Sequence, residues 1–264
     1  MRIVDPHLHA IWMRGTDIFK MAVGGVEAAV MPVPHAVPWI TSGRTLVRMW
    51  EDSLNYWVSS CAAKGVDLYV CLAVPFGGVN AEGVEECLKK LPGYLKHERV
   101  VGIGEIGLNN STEEEVVLFK AQLNIAREYD LPVIVHTPPR YEPQLRPVLE
   151  QVITILLDEK FPMDRVVLDH TAENTLKMRL GTNAMVALSV CYDKNTPEEA
   201  ASMVINNPDK RERLLINSEL GYDQDGYLSV PRAALAMRMM GLRGDEIEKV
   251  TWHNPKNFFK LPIE

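Results

Sequence analysis

The sequence predicts an α/β protein built as a (β/α)8 TIM barrel. Eight short apolar runs recur along its 264 residues, and helical patterns separate them. Most of the runs are apolar on both faces, as parallel strands covered by helices must be. Such a barrel takes about 250 residues, so a single barrel domain over residues 1–264 fits the length. A doubly wound open sheet is the alternative, but no G-x-G-x-x-G turn follows the first run.

The predicted elements follow from periodicity and from their flanking residues. Ser111 or Thr112 is expected to cap one helix, Pro197 to begin another and Gly65 to end a third. The predicted helices span residues 46–65, 111–130, 141–160 and 196–207. The predicted strands span residues 2–9, 26–33, 66–74, 100–108, 132–137, 165–171, 184–191 and 213–220.

Composition excludes several classes of protein. The formal net charge of -7 argues against broad nonspecific binding of nucleic acid, although bound metal ions would supply local positive charge to a nuclease. The four cysteines show no C-x-x-C spacing, which favours reduced thiols over disulfides. Neither a signal peptide nor a membrane-spanning run is recognisable, so a cytoplasmic protein without membrane contact is expected.

The chain begins with a run of closely spaced polar residues, "DPHLH". Strand alternation would place Ile3, Asp5, His7 and His9 on one face. Neutral imidazoles bind zinc, iron, nickel and similar ions, so this pair is a candidate metal site at a strand end. The ordinary alternative is a surface strand that carries two histidines by chance.

Three later strands also end in polar residues: Glu105, His136 and His170. Each is separated from the next by about one βα unit, so the three should be neighbours on the carboxyl-terminal rim of the barrel, where active sites lie. Together with His7 and His9 they would hold one or two divalent ions. The alternatives are a structural ion pair for Glu105 and core positions for the two histidines.

Four further residues near the rim are expected to have supporting or substrate-binding roles or to lie in a loop. Gly104 and Gly107, on either side of the strand-end glutamate, are expected to leave open space for a site. His35 is interpreted as a loop residue. Arg140 is a candidate substrate anchor, because a guanidinium can bind a phosphate or carboxylate through two hydrogen bonds; a solvated loop arginine is the alternative.

The motifs D-x-H-x-H, G-E-I-G-L and the closing "TWHNPKNFF" together resemble the TatD-related metal-dependent hydrolases of the amidohydrolase superfamily. The resemblance spans the whole chain. It implies that His7 and His9 bind one ion, that His136 and His170 bind the other, and that Glu105 bridges or approaches both.

Three positions differ from the family pattern. Asn109 follows G-E-I-G-L where aspartate is usual, strand 3 ends in "AVPFGG" in place of G-x-H-P, and Glu219 stands where strand 8 carries aspartate. In the family pattern these positions face the substrate or take part in catalysis. The differences therefore count against DNA exonuclease activity, but they do not count against the metal site.

The sequence thus predicts a hydrolase that uses a metal-activated water. The expected substrate is a small-molecule or nucleic-acid phosphoester, as for TatD-like deoxyribonucleases and phosphodiesterases. The alternatives are a small amide, ester or lactone, or a non-catalytic metal-binding barrel. Zinc is the expected ion, with magnesium, manganese, nickel and iron as alternatives. The oligomeric state is left open.

Two acidic roles complete the expectation. Glu219 is predicted to accept the proton of the attacking water, because strand 8 closes the barrel beside strand 1. If Ser218 faces inward instead, Asp223 or Asp225 becomes the better candidate. Asp5 is predicted to orient a metal-binding histidine.

Overall fold

The computed structural model describes residues 1–35, 40–77, 79–221 and 226–264, and within them eight parallel strands form one sheet. Each strand pairs with the next along the chain. A bridge between Leu8 and Leu220 joins the ends of the first and last strands and nearly closes the barrel. The strands are β1 Ile3–Asp5, β2 Val26–Pro32, β3 Asp67–Leu72, β4 Val100–Gly107, β5 Val133–His136, β6 Val166–Leu168, β7 Met185–Ser189 and β8 Leu214–Asn217.

All eight predicted strands are present, and the (β/α)8 barrel is confirmed. The first strand is shorter than predicted, because β1 ends at Asp5. Pro6 follows it and has no N–H to continue the ladder. His7 and His9 therefore lie in the loop after β1, and the prediction that they share one strand face with Ile3 is wrong.

Helices follow the strands and cover the barrel. Thr112 caps the helix that begins at Glu113 by accepting a hydrogen bond from the backbone N–H of Glu115 at 3.3 Å, and Pro197 begins another helix, both as predicted. Two five-residue π-helical turns, Ser53–Trp57 and Lys249–His253, each connect two helices. The helices are α1 Gly15–Val23, α2 Gly43–Asp52, α3 Val58–Ala62, α4 Ala81–Tyr94, α5 Glu113–Glu128, α6 Leu145–Asp158, α7 Glu173–Leu180, α8 Pro197–Ile205, α9 Ser229–Met239, α10 Gly244–Glu248 and α11 Asn254–Phe258.

The apolar core has an outer layer between strands and helices and an inner cluster within the barrel. The inner cluster contains Val4, Val30 and Leu215 from the strands. Trp252 and Phe259, from the C-terminal segment, belong to the same cluster and are buried. The interior is therefore filled by apolar side chains, which leaves the loops at the carboxyl ends of the strands as the place for polar groups.

The cysteines and the length of the helices are the last features of the fold. Cys61, Cys71, Cys87 and Cys191 are free thiols, as their spacing predicts. Among the described residues, no helix has both the length and the apolar character needed to cross a membrane.

Candidate metal centre

The loop after β1 is fixed to the end of β8 by backbone hydrogen bonds. The N–H of Glu219 donates to the carbonyl of His7 at 2.8 Å, and the N–H of His9 donates to the carbonyl of Leu220 at 2.7 Å. Backbone pairing at this point, past the end of β1, holds both imidazoles at the mouth of the barrel. The two histidines are buried in spite of their polarity.

Asp5 supports this loop in a different way from the one predicted. Its Oδ1 accepts hydrogen bonds from the backbone N–H groups of His7, at 3.3 Å, and Ser218, at 3.1 Å. Burial raises the pKa of Asp5 to about 6, although these hydrogen bonds oppose the change. Asp5 therefore joins the ends of β1 and β8, and it holds His7 through the main-chain N–H and not through the imidazole ring.

Glu105 lies near the end of β4 and is almost completely buried. Its Oε1 lies 3.7 Å from His7 Nε2, 3.6 Å from His136 Nδ1 and 3.1 Å from His170 Nε2. Burial alone would raise its pKa, but His7 and hydrogen bonds from the other imidazoles outweigh burial and hold the pKa well below its usual range. Glu105 is thus an ionised carboxylate on which histidines at or just after the ends of three strands converge.

The glycines beside Glu105 serve close packing and do not open space. A Cβ on Gly104 would lie 2.8 Å from the Cβ of Ile134 on β5. A Cβ on Gly107, whose φ is +142°, would collide with the carbonyl of His136. The expectation of open space is therefore wrong, and both glycines let β4 approach β5 closely.

The donor atoms are spaced as ligands of shared ions would be. His7 Nε2 lies 3.1 Å from His9 Nε2, and His136 Nδ1 lies 3.1 Å from His170 Nε2. Two ligands on a tetrahedral ion with bonds of about 2.0–2.1 Å are about 3.3 Å apart. Each histidine pair, combined with Glu105, therefore fits a divalent cation in donor type and in spacing.

Two of the four rings are oriented by carboxylates on their outer nitrogens. Nδ1 of His7 hydrogen-bonds Oδ2 of Asp169. Nδ1 of His170 lies 3.2 Å from Oε2 of Glu219 and 3.2 Å from the hydroxyl of Ser189. Such contacts leave Nε2 of each ring directed at the site and increase its basicity, as in known metal centres.

The carboxylates make the site strongly attractive to positive charge. Burial lowers the pKa of His7, but Glu105 and Asp169 outweigh burial and raise it. Burial likewise opposes protonation of His170, whereas Glu219 above all raises its pKa to about 10. By contrast, burial lowers the pKa of His9 to about 3, and neutral imidazole is the form that binds a metal.

Glu219 lies just after β8 and beside the loop that follows β1, and its side chain has partners that the sequence does not predict. It follows β8 with φ of +45°, a conformation that costs energy in a non-glycine residue. Its Oε2 is paired with Nζ of Lys194, and it also contacts His170 and the thiol of Cys191, at 3.7 Å. The competing candidates Asp223 and Asp225 lie outside the described residues.

Arg140 is placed near the mouth but away from the donor cluster. Its Nη1 donates to Glu199 at 2.9 Å, and its Nη2 donates to the hydroxyl of Tyr141 at 2.5 Å. It lines a cavity of about 940 Å³ together with Asn195, next to the end of β7. None of the five candidate metal ligands lines this cavity.

Three residues of the centre were missed or undervalued by sequence reasoning. Asp169 directly precedes His170 at the end of an apolar run, and a polar pair at such a position was an available signal. Lys194 carries no signal of its own. His35 does lie in a loop, as interpreted, yet its N–H donates to Oε2 of Glu105 at 3.1 Å and its ring stacks on His136 at 3.9 Å.

A ring nitrogen of His35 lies within 4.8 Å of the donor atoms of Glu105 and His136, which is close enough for the three residues to bind one ion. Its ring is inclined by only 24° to that of His136, however. The ring nitrogens of nearly parallel stacked imidazoles do not point at one common atom. Its more evident contribution is the backbone hydrogen bond that fixes Glu105.

Known proteins match this chain over most of its length. The family model for TatD related DNase matches residues 45–260. An uncharacterized metal-dependent hydrolase of Methanocaldococcus jannaschii is 29% identical over 260 residues, covering 98% of this chain and 100% of that protein.

Two solved structures share the fold. The TatD-like protein of Archaeoglobus fulgidus superposes with a TM-score of 0.79 at 25% identity, covering 98% of this chain and 100% of that one. The phosphotriesterase homology protein of Escherichia coli, crystallised with phosphate in its active site, has a TM-score of 0.69 at 15% identity, with 98% of each chain covered.

The barrel, the donor cluster at its carboxyl-terminal rim and these matches define a metal-dependent hydrolase. The family match spans well over half of the sequence. The chain belongs to the TatD family.

Proposed function

We propose that this protein hydrolyses a phosphoester with one or two divalent ions held by His7, His9, Glu105, His136 and His170. The convergence of His7, His136 and His170 on Oε1 of Glu105, with His9 beside His7, carries the proposal. Ions held by these residues would suit the displacement of an oxygen leaving group, because they would supply positive charge next to the reacting oxygens.

Zinc is the ion we propose first. The donor set contains four imidazoles and one carboxylate, and imidazole nitrogen is a preferred ligand of zinc, nickel and iron. Magnesium and manganese are commonly bound by more oxygen donors than this set offers. When bound, the ions would lower the pKa of a coordinated water and polarise the bond under attack.

The residues of the chain have separate tasks in this proposal. Glu219 accepts the proton of the attacking water and returns it to the leaving oxygen. Asp169 keeps the ring of His7 in the tautomer that presents Nε2 to the site. Arg140 binds the anionic part of the substrate from the rim, exchanging its contact with Glu199 for the substrate.

One observation favours a phosphoester over other bonds: the family model describes DNases, which cleave phosphodiesters. Because Asn109, the "AVPFGG" segment and Glu219 differ from the family pattern at positions that matter for DNA exonuclease activity, we propose a small phosphoester ahead of a nucleic-acid one as the substrate.

The test is a substrate panel on protein that has been stripped with chelator and reloaded with zinc, manganese or magnesium. The panel contains a single-stranded oligonucleotide, bis(4-nitrophenyl) phosphate, 4-nitrophenyl phosphate, a γ-lactone and an N-acyl amide. We expect turnover of at least one phosphoester that depends on the added metal. Turnover confined to the lactone or the amide would replace this proposal with the amidohydrolase alternative.

A further inference from the structure

Lys194 is a buried lysine at the mouth of the barrel that the proposed chemistry leaves unused. It lies between β7 and α8, and 8% of its side chain is exposed. The backbone around it is fixed, because Val190 forms a bridge with Asn195. The side-chain amide of Asn195 also donates to the carbonyls of Thr171, at 2.8 Å, and Ser189, at 3.0 Å. The lysine is therefore held at the mouth and not free to extend into solvent.

A buried ammonium group is costly unless it is paired. Nζ of Lys194 is paired with Oε2 of Glu219. Its second acidic neighbour is weaker, since Oδ1 of Asp193 lies 3.7 Å away and 45% of that side chain is exposed. The geometry thus couples the lysine chiefly to the residue that we propose as proton acceptor.

Glu219 needs such a partner because its side chain has one more rotatable bond than aspartate. Nδ1 of His170 and Sγ of Cys191 contact the same Oε2, at 3.2 Å and 3.7 Å. With Lys194 they fix one oxygen of the carboxylate from three sides. Fixing that oxygen also restricts where Oε1 can lie.

We propose that Lys194 is a positioning residue that anchors Oε2 of Glu219 so that Oε1 receives the proton from the attacking water. This inference rests on the proposed function, in which Glu219 is the proton acceptor. The anchoring by Lys194 would let a glutamate serve at a place where the family pattern has the shorter aspartate. Productive placement of a catalytic group commonly changes rates by an order of magnitude or more.

The experiment compares Lys194→Met and Lys194→Arg with the control Asp193→Asn, all as metal-loaded full-length protein. Bis(4-nitrophenyl) phosphate is the probe. For Lys194→Met we expect unchanged metal content and KM, with kcat reduced about 10- to 100-fold. Arginine should restore most of this loss, because it also supplies a cation to Oε2. Asp193→Asn should stay within about twofold of the wild type, in keeping with its long, half-exposed contact.

Three outcomes would overturn the inference. A higher KM with unchanged kcat would make Lys194 a direct substrate contact, loss of metal would make it part of ion binding, and unchanged kinetics would leave it without a role. Should Lys194→Met fail to fold, Lys194→Gln keeps a neutral hydrogen bond to Oε2 and allows the same comparison.

A thermal double-mutant cycle separates this inference from the proposed function. It uses Lys194→Met, Glu219→Gln and the double variant, and needs no substrate. If the wild type hydrolyses no phosphoester, the proposed function fails while the cycle still tests the pair. The coupling is supported if the double variant loses clearly less Tm than the sum of the two single losses. It is contradicted if the loss of the double variant equals that sum.

Discussion

Asp169 holds His7 across the mouth of the barrel, although 162 residues separate them in the chain. Its Oδ2 contacts Nδ1 of His7. Its Oδ1 accepts hydrogen bonds from the N–H of His170 at 2.7 Å, the hydroxyl of Ser189 at 3.0 Å and the amide of Asn217 at 2.9 Å. One carboxylate therefore connects the ends of β6, β7 and β8 to a candidate ligand after β1.

Asp169→Asn should weaken metal binding without removing any direct ligand. Three donors already point at Oδ1, so the amide nitrogen of the variant would face Nδ1 of His7. That nitrogen can only donate, so the ring of His7 loses the acceptor that fixes its tautomer. Loss of such a partner typically costs about 10- to 100-fold in metal affinity or activity. Competition with a chelating dye measures the affinity. Asp164→Asn, an exposed aspartate before β6, is the matched control, and equal affinities for the two variants would contradict the role.

The two histidine pairs should each account for one ion. The variant His7→Ala/His9→Ala is expected to lose one ion per chain from a two-ion wild type, and His136→Ala/His170→Ala to lose the other. Elemental analysis of protein dialysed against buffered zinc measures the stoichiometry. His97→Ala, an exposed histidine before β4, should bind as the wild type does. A wild type with no stoichiometric metal would remove the basis of the proposed site.

The barrel and the five candidate ligands could be predicted from sequence because local patterns encode them. Apolar runs at βα spacing indicate parallel strands, and polar residues that end such runs fall on the carboxyl-terminal rim. These patterns predict every strand. The predicted end of β1 is wrong because the alternation of polar residues continues past Pro6, whereas the strand ends before this residue, which has no N–H for the ladder.

The contacts around the ligands could not be predicted because they join distant parts of the chain. The pairing of His7 with Asp169 and of Glu219 with Lys194 depends on which side chains the closed barrel brings together. A single sequence holds no periodic signal for such pairs. Asp5 is a further example. It accepts a hydrogen bond from the backbone N–H of its near neighbour His7, and a second from the N–H of Ser218, just after β8, which no spacing in the sequence indicates.

Arg140→Ala should raise KM for an anionic substrate while metal content stays constant. Losing a hydrogen bond between charged groups costs about 1.5–3 kcal/mol, which corresponds to roughly a 10- to 100-fold increase in KM. Stability should change little, because the Arg140–Glu199 pair is partly exposed. Steady-state kinetics on the active phosphoester provide the measurement. Arg146→Ala, on the exposed side of α6, is the control; identical kinetics in both variants would exclude Arg140 from the site.

Chelation should lower thermal stability, because the ions bind the folded site and its buried carboxylates. An ion present at about 100 times its Kd adds about 2.7 kcal/mol to the free energy of unfolding. For a chain of this size that corresponds to roughly 5–10 °C in Tm. Scanning calorimetry with and without chelator measures the shift. The variant that lacks all four site histidines is the control, and it should show no shift.

Glu219→Gln should abolish most turnover and leave the metal in place. Glutamine keeps the shape of the side chain but cannot accept the proton of the attacking water, so kcat should fall by about 10²–10⁴-fold. Lys194 loses its charged partner in this variant, so a lower Tm is expected as well. Metal analysis and steady-state kinetics on the same preparation separate catalysis from ion binding. Glu212→Gln, at an 80% exposed side chain, controls for the general effect of removing one negative charge. If Glu219→Gln keeps full activity while Asp223→Asn or Asp225→Asn abolishes it, the proton acceptor is that aspartate and not Glu219.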